Sequence, residues 1–181
     1  MITCRDQDII NFLEDFHIAT SSQLHRLFYN LTSPRYTRKR LHYLCDCGHI
    51  KRARSTIDNS YAYYTDRKPA QLHHDLIRTE LYTSIKSKYD LLNWHNEATV
   101  GHIRPDALCY INHSGIVFPV LVEVHLSNKF DFDKYKMDFR PILGTQPRVI
   151  ICTDREVKLP VSAIKFKLVG LDMSGIDTLF K

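Results

Sequence analysis

Long apolar runs are missing from this chain. None approaches the roughly 18–20 residues that a membrane-spanning helix needs, so no such helix is expected. The opening stretch, MITCRDQDIINF, carries acidic residues early and no cleavable apolar core, which argues against a secretory signal. Internal repeats and low-complexity segments are also lacking, which sets aside repeat architectures and biased linkers. Cysteine is sparse and odd in number: Cys4, Cys45, Cys47, Cys109 and Cys152 are scattered through predicted helices and strands. That pattern excludes a disulfide frame and points to reduced thiols in a cytoplasm. Cys45 and Cys47, with His42 and His49 beside them, lack the C-x₂-C spacing of a zinc knuckle, and no second ligand pair follows.

What is present is an ordinary folded-protein balance. With 181 residues, 44% of them hydrophobic and 25% charged, the chain has enough apolar material for one generous domain or two small ones. The net charge of +5 is mild, so its distribution matters more than its sum. Between Arg35 and Arg54 stand Arg35, Arg38, Lys39, Arg40, Lys51, Arg52 and Arg54 against a single acid, Asp46. Positive charge gathered in one region is the footprint of a nucleic-acid face.

Three short helices are predicted in the first third. Ile9, Ile10, Leu13 and Phe16 recur at helical spacing. Thr20-Ser21-Ser22-Gln23 is a capping box, followed by Leu24, Leu27 and Phe28. Ser33-Pro34 supplies an N-cap and then a proline at the first helical position, where its missing N–H costs nothing. That third helix has Thr37, Leu41 and Leu44 as its core side, which leaves Arg35, Tyr36, Arg38, Lys39 and His42 facing outward. Gly48 and two strand-like stretches follow, 49–55 and 60–65, joined through Asp58-Asn59. Helix, helix, basic helix and hairpin is the layout of a winged helix-turn-helix, expected over residues 1–66. Arg and Lys at the start of its last helix could reach guanine edges or phosphates, and Arg52 and Arg54 on the wing suit phosphates. The competing reading is a winged helix used for protein contacts, with its charge merely solvated.

The polar stretch from Thr65 to Pro69 is the expected boundary, and residues 70–181 form the expected second domain. A helix is predicted over 71–89, with Leu72, Leu76, Leu81 and Ile85 inward, then a strand over 91–99 holding Trp94 and Glu97. Asn112-His113-Ser114-Gly115 has hairpin-turn chemistry between two β-rich runs. The spacing of Phe132, Tyr135 and Phe139 predicts a helix over 130–140, and PRVIICT at 147–153 reads as a buried strand. A last strand is expected over 164–171. Asp106 follows Pro105 ahead of the first run, and Glu123 lies inside the second, where an ionisable group is costly without a partner or a task.

Pro105-Asp106 on one strand and Glu123-x-His125 on the next resemble the PD-(D/E)XK nuclease-like core, and the order αβββαβ matches it. His125 stands where that core normally has lysine; Lys129 or Lys134 could supply the missing charge from the following segment. Over nearly its whole length the chain resembles the replication-relaxation family of bacterial plasmid and mobile-element proteins. The residues that carry this are LHYLCDCGHIKR, Tyr63-Tyr64-Thr65, HHDL, NWHNE, IRPDA, LVEVHLSNKF and Lys134-Tyr135. The resemblance implies a mixed α/β (α+β) protein, a winged helix followed by a nuclease-like domain, acting in plasmid replication, DNA relaxation or their transcriptional control. Double-stranded DNA is the expected partner, through Arg35, Tyr36, Arg38, Lys39, His42, Arg52 and Arg54. A homodimer and contacts with replication or relaxase proteins are also expected. The nuclease-like domain is expected not to cut. The alternative is a Mg²⁺-dependent endonuclease or nickase, with Asp106, Glu123, His125 and Lys134 as its catalytic set and Asp106, Glu123 and Glu97 around the metal.

Overall fold

Helix starts are written into the first third of the chain, and the fold uses them. Helix α1 (Cys4–Phe16) begins at a capping box in which Thr3 and Asp6 satisfy each other's backbone N–H groups. Helix α2 (Ser21–Phe28) begins at the reciprocal Thr20–Gln23 box, and α3 (Pro34–Asp46) at Ser33 with proline in its first turn. Gly48, at φ 76°, turns the chain out of α3 in a conformation costly for residues with a Cβ. The computed structural model describes residues 1–127 and 129–180; Asn128, within the LVEVHLSNKF stretch, and Lys181 lie outside the described residues. Those residues form a mixed α+β protein with five helices and two sheets. No helix among them is long and apolar enough to cross a membrane.

The chain divides into two compact units, Met1–Thr83 and Ser84–Lys181, with the division inside helix α4 (Leu72–Lys88). The first unit holds α1 to α3, strands β1 (Ala19–Thr20), β2 (Lys51–Arg54) and β3 (Tyr61–Tyr64), the Thr65–Pro69 stretch and most of α4. Its sheet has the order β1-β3-β2, all antiparallel. The helical periodicity of the sequence closes the core: Ile9 and Leu13 of α1, Leu24 of α2, and Leu41 and Leu44 of α3 meet Ile50 and Tyr63 with no more than 3% of any of them exposed. Each such side chain contributes about 1.5–3 kcal/mol by leaving water. Leu72 and Leu76 of α4 pack with Ile18 and Ala62, and Gln23 Nε2 donates to the Leu76 carbonyl at 3.0 Å. Arg40 leaves the basic face of α3 and donates to the carboxylate of fully buried Asp6.

The second unit is built on a five-stranded sheet of order β4-β5-β6-β7-β8: β4 (Asp90–Asn96), β5 (Ala107–His113), β6 (Ile116–Val124), β7 (Arg148–Cys152) and β8 (Lys165–Val169). The first three strands pair antiparallel and the last three parallel. Ser114 at φ 55° and Gly115 at φ 81° make the tight turn between β5 and β6, with both centres left-handed as a type I′ hairpin requires. Val120 to Val124 are buried on both faces, which is why that stretch reads as a continuous apolar run.

One expectation fails here. Residues 130–140 are not a helix; they form a mostly irregular segment with a single 3-10 turn, Asp133–Tyr135, followed by a four-residue helix, α5 (Arg140–Leu143). Phe130 and Phe132 both pack toward one apolar cluster under Tyr135 and Phe139. A helix would send residues two apart to different sides. Asp131 also competes for the backbone, accepting the Asp133 N–H at 2.9 Å. Between β6 and β7 the chain therefore drapes aromatic rings over the sheet.

Candidate functional site

Two groups of side chains hold most of the functional chemistry, one in each unit. In the first, Pro34 and Ser33 set the start of α3, and Thr37, Leu41 and Leu44 are buried. Helical geometry then leaves Arg35, Tyr36, Arg38, Lys39 and His42 exposed. None of Arg35, Arg38 and Lys39 makes an ion pair with a described residue. Tyr36 is edge-on to Tyr29 at 5.8 Å, and His42 Nδ1 lies 3.3 Å from Asp46 Oδ1, one turn on. Across from this face stands the β2–β3 hairpin. Arg52 and Arg54 share one side of β2, and each guanidinium lies 4.7 Å from the Tyr61 ring centroid. Between helix and hairpin is a cleft of about 570 Å³ walled by Arg38, His42, Arg52, Tyr61 and Tyr63, with Asp58 at its hairpin end. Fixed guanidinium forks beside tyrosine rings suit anionic oxygens and flat ring systems.

The second group lies on the sheet face covered by the aromatic segment. In the β5–β6 register Ala107 opposes Val122, so Asp106 and Glu123 come together just beyond the end of the ladder. Asp106 Oδ2 accepts the Val124 N–H at 2.7 Å. Glu123, only 8% exposed, accepts two donors on Oε1: Lys134 Nζ at 2.6 Å and the Tyr135 hydroxyl. Burial raises the Glu123 pKa, opposed by the Lys134 and Tyr135 hydrogen bonds and the Lys134 charge, and reinforced by the Asp106 carboxylate. Burial, with the Glu123 charge and hydrogen bond beside it, pushes the Tyr135 phenol far up, so its hydroxyl keeps its proton and donates it to Glu123.

His125 follows Glu123 on the same face but does not reach it. Its ring is edge-on to Phe130 at 5.1 Å, Nδ1 lies 3.5 Å from Ser127 Oγ, and buried Nε2 has no hydrogen-bond partner among the described residues. Burial, with the Lys134 and Arg155 charges behind it, lowers its pKa, so it stays neutral at pH 7. The cation on Glu123 is therefore Lys134, one of the sequence candidates, while Lys129 is exposed. Glu97 is not drawn into the group: it sits at an exposed turn with φ 52° and pairs with Arg104. Glu80, another acid of the sequence, is engaged by Arg26 and Gln23 in the first unit. Sequence reasoning missed the role of Tyr135, whose spacing reads as core; its signal is only the adjacency to Lys134.

Mg²⁺ is the metal that a nuclease-like site would take. It is commonly held by one or two carboxylates with water and substrate phosphate. Asp106 and Glu123 meet that minimum, but one oxygen of each is already committed to a protein donor. Among the described residues no group of three or more His, Cys, Asp or Glu side chains is placed to hold a metal ion. Comparison with protein-family models, with curated proteins and with solved structures gives no match to this chain.

The buried carboxylate gives a direct test. Glu123 is expected to titrate above the ordinary glutamate range near 4.3, measured by the pH dependence of its side-chain ¹³C resonance. The folded state holds this proton more tightly than the unfolded chain. Ionisation thus costs stability as pH rises from about 4.3 through the folded midpoint. A midpoint at or below that of exposed glutamates would mean that Lys134 and Tyr135 outweigh burial.

Proposed function

We propose that this is a double-stranded-DNA-binding protein of a bacterial plasmid or mobile element, acting in replication, DNA relaxation or their transcriptional control. Its first unit is a winged helix-turn-helix with α3 as the recognition helix and the β2–β3 hairpin as the wing. The second is a PD-(D/E)XK-like domain that does not cut. One observation carries this reading: Arg35, Arg38 and Lys39 stand exposed on α3, and Arg38 of that helix and Arg52 of the hairpin line a common cleft. Helix residues in that position suit base edges and phosphates, and hairpin arginines suit phosphates. The resemblance to the replication-relaxation family supports the biological setting.

A specific contact favours a second reading, a Mg²⁺-dependent DNA endonuclease or nickase. Lys134 reaches Glu123 beside Asp106, which supplies the cation that His125 does not. Asp106 and Glu123 would hold the metal, which when bound would activate water and offset charge on the scissile phosphate. Lys134 would add a positive charge at the same point. Against this, the lysine and Tyr135 crowd Oε1 of Glu123 and give the carboxylate a structural purpose.

Supercoiled plasmid separates the two. The expected result is a salt-sensitive mobility shift with no nicked or linear product in Mg²⁺ or Mn²⁺. Metal-dependent nicking that disappears in both Asp106→Ala and Glu123→Ala would transfer the assignment to the second reading. Absence of any binding to duplex DNA would overturn the first.

A further inference from the structure

The sheet face opposite Glu123 carries its own concentration of charge. On β7, Val149 and Ile151 point into the cluster under Tyr135 and Phe139, so Arg148 and Ile150 face the other way. Lys165 is the register partner of Arg148, and Lys167 is the partner of Ile150. Three cations thus stand on one side of two neighbouring strands. With Leu179 and Phe180 they line a hollow of about 340 Å³.

Lysines alone would imply no ligand. Strand β8 is a sheet edge, and edge lysines ordinarily guard against pairing with another chain. Arg148 is different: it lies on an inner strand and is half-buried. Its guanidinium is 5.1 Å from the Phe118 ring centroid and 4.7 Å from that of Phe180, and Nη1 donates to the Leu179 carbonyl at 2.7 Å. These contacts fix the fork without neutralising it. No described carboxylate pairs with Arg148, Lys165 or Lys167. Holding a partly desolvated guanidinium beside two ammonium groups costs free energy that an external anion would recover.

We propose that this hollow binds a phosphate monoester, with Arg148 as the oriented donor fork and Lys165 and Lys167 as its supporting charges. The volume falls in the range of small-ligand pockets, and the Phe180 ring offers an apolar wall beside the cations. A free mononucleotide and the 5′-phosphorylated end of a nucleic acid present the same group. The site lies on the sheet face opposite the carboxylate pair and shares no residue with it or with α3, so it does not depend on the function proposed above.

Calorimetric titration of the full chain tests it, with adenosine 5′-monophosphate, adenosine, and a dinucleotide carrying either a 5′-phosphate or a 5′-hydroxyl. Saturable binding of the monophosphate is expected, with none for adenosine. Affinity should fall roughly tenfold or more in the Lys165→Gln/Lys167→Gln double variant and in Arg148→Gln. Tighter binding of the 5′-phosphorylated dinucleotide than of the mononucleotide assigns the nucleic-acid end, and the reverse order assigns the free nucleotide. Phosphate ligands that do not bind the wild type overturn the proposal. So does binding that the double lysine variant leaves unchanged; its substitutions sit at the sheet edge, so this arm decides even if Arg148→Gln fails to fold.

Discussion

Replacing Arg35, Arg38 and Lys39 together with alanine is expected to weaken duplex-DNA binding on the order of a hundredfold at about 0.1 M salt. The three positions are spaced i, i+3 and i+4, which puts them on one stripe of α3, and all are exposed. Each phosphate contact that is lost lowers the slope of log affinity against log salt by nearly one, so the slope should flatten by roughly 3. Stability should change little, because surface substitutions away from packed groups are usually within about 0.5 kcal/mol. Arg40→Ala is the informative control. It removes a positive charge from the same helix, but one already bound to Asp6, so it should leave the salt slope nearly unchanged. Fluorescence anisotropy over a salt series reads both quantities. An unchanged slope in the triple variant would remove α3 from the interface.

That control also shows where sequence reading reaches its limit. Counting charge between Arg35 and Arg54 treats Arg40 as one more member of a basic face, and nothing local says otherwise. Its partner is 34 positions away in the capping box of α1. Local signals were reliable where they were complete in themselves. The Thr20–Gln23 box, the Ser33-Pro34 start and the Ser114-Gly115 turn each contain both partners of the interaction that fixes them. Strand β1 has two residues and exists only because Ala19 and Thr20 find Tyr63 and Ala62, so no periodicity could announce it. Residues 130–140 misled for the opposite reason. The intervals between Phe132, Tyr135 and Phe139 fit a helix, but Phe130 also has to reach the same cluster, and an irregular segment satisfies all four rings. That Asp106 and Glu123 lie at the ends of neighbouring strands was legible from strand and turn chemistry. Which of His125, Lys129 and Lys134 supplies the cation was not, since that depends on how the irregular segment folds back. Arg148 was hidden inside PRVIICT, whose apolar majority describes one face of the strand and says nothing of its first residue.

Asp6→Ala is expected to be among the most damaging single substitutions in the first unit, costing about 3 kcal/mol. The Asp6 side chain is fully buried and satisfies four donors. Oδ1 accepts Arg40 Nε at 2.9 Å; Oδ2 accepts the Thr3 N–H and hydroxyl, each at 2.7 Å, and Arg40 Nη2. Removing it opens the start of α1 and strands the Arg40 guanidinium, although Arg40 keeps 21% of its side chain in contact with solvent, so the lower end of the range for broken buried pairs applies. The Arg40 hydrogen bonds hold the Asp6 carboxyl far below the usual carboxylate range, with burial opposing and Thr3 assisting. A depressed carboxylate stabilises fully above its unfolded pKa, near 3.9, and the contribution is lost as pH falls through the folded midpoint. Asp6→Asn keeps the shape and cannot ionise, so its deficit against wild type should be largest at neutral pH. Urea unfolding at pH 7 and pH 3 measures both proteins. The deficit should shrink by about 1 kcal/mol at the lower pH, because ionisation changes the free energy by about 1.4 kcal/mol for each pH unit between the two midpoints. A deficit that is the same at both values would mean that Asp6 acts as a neutral cap and that Arg40 contributes no charge to holding α1 against α3.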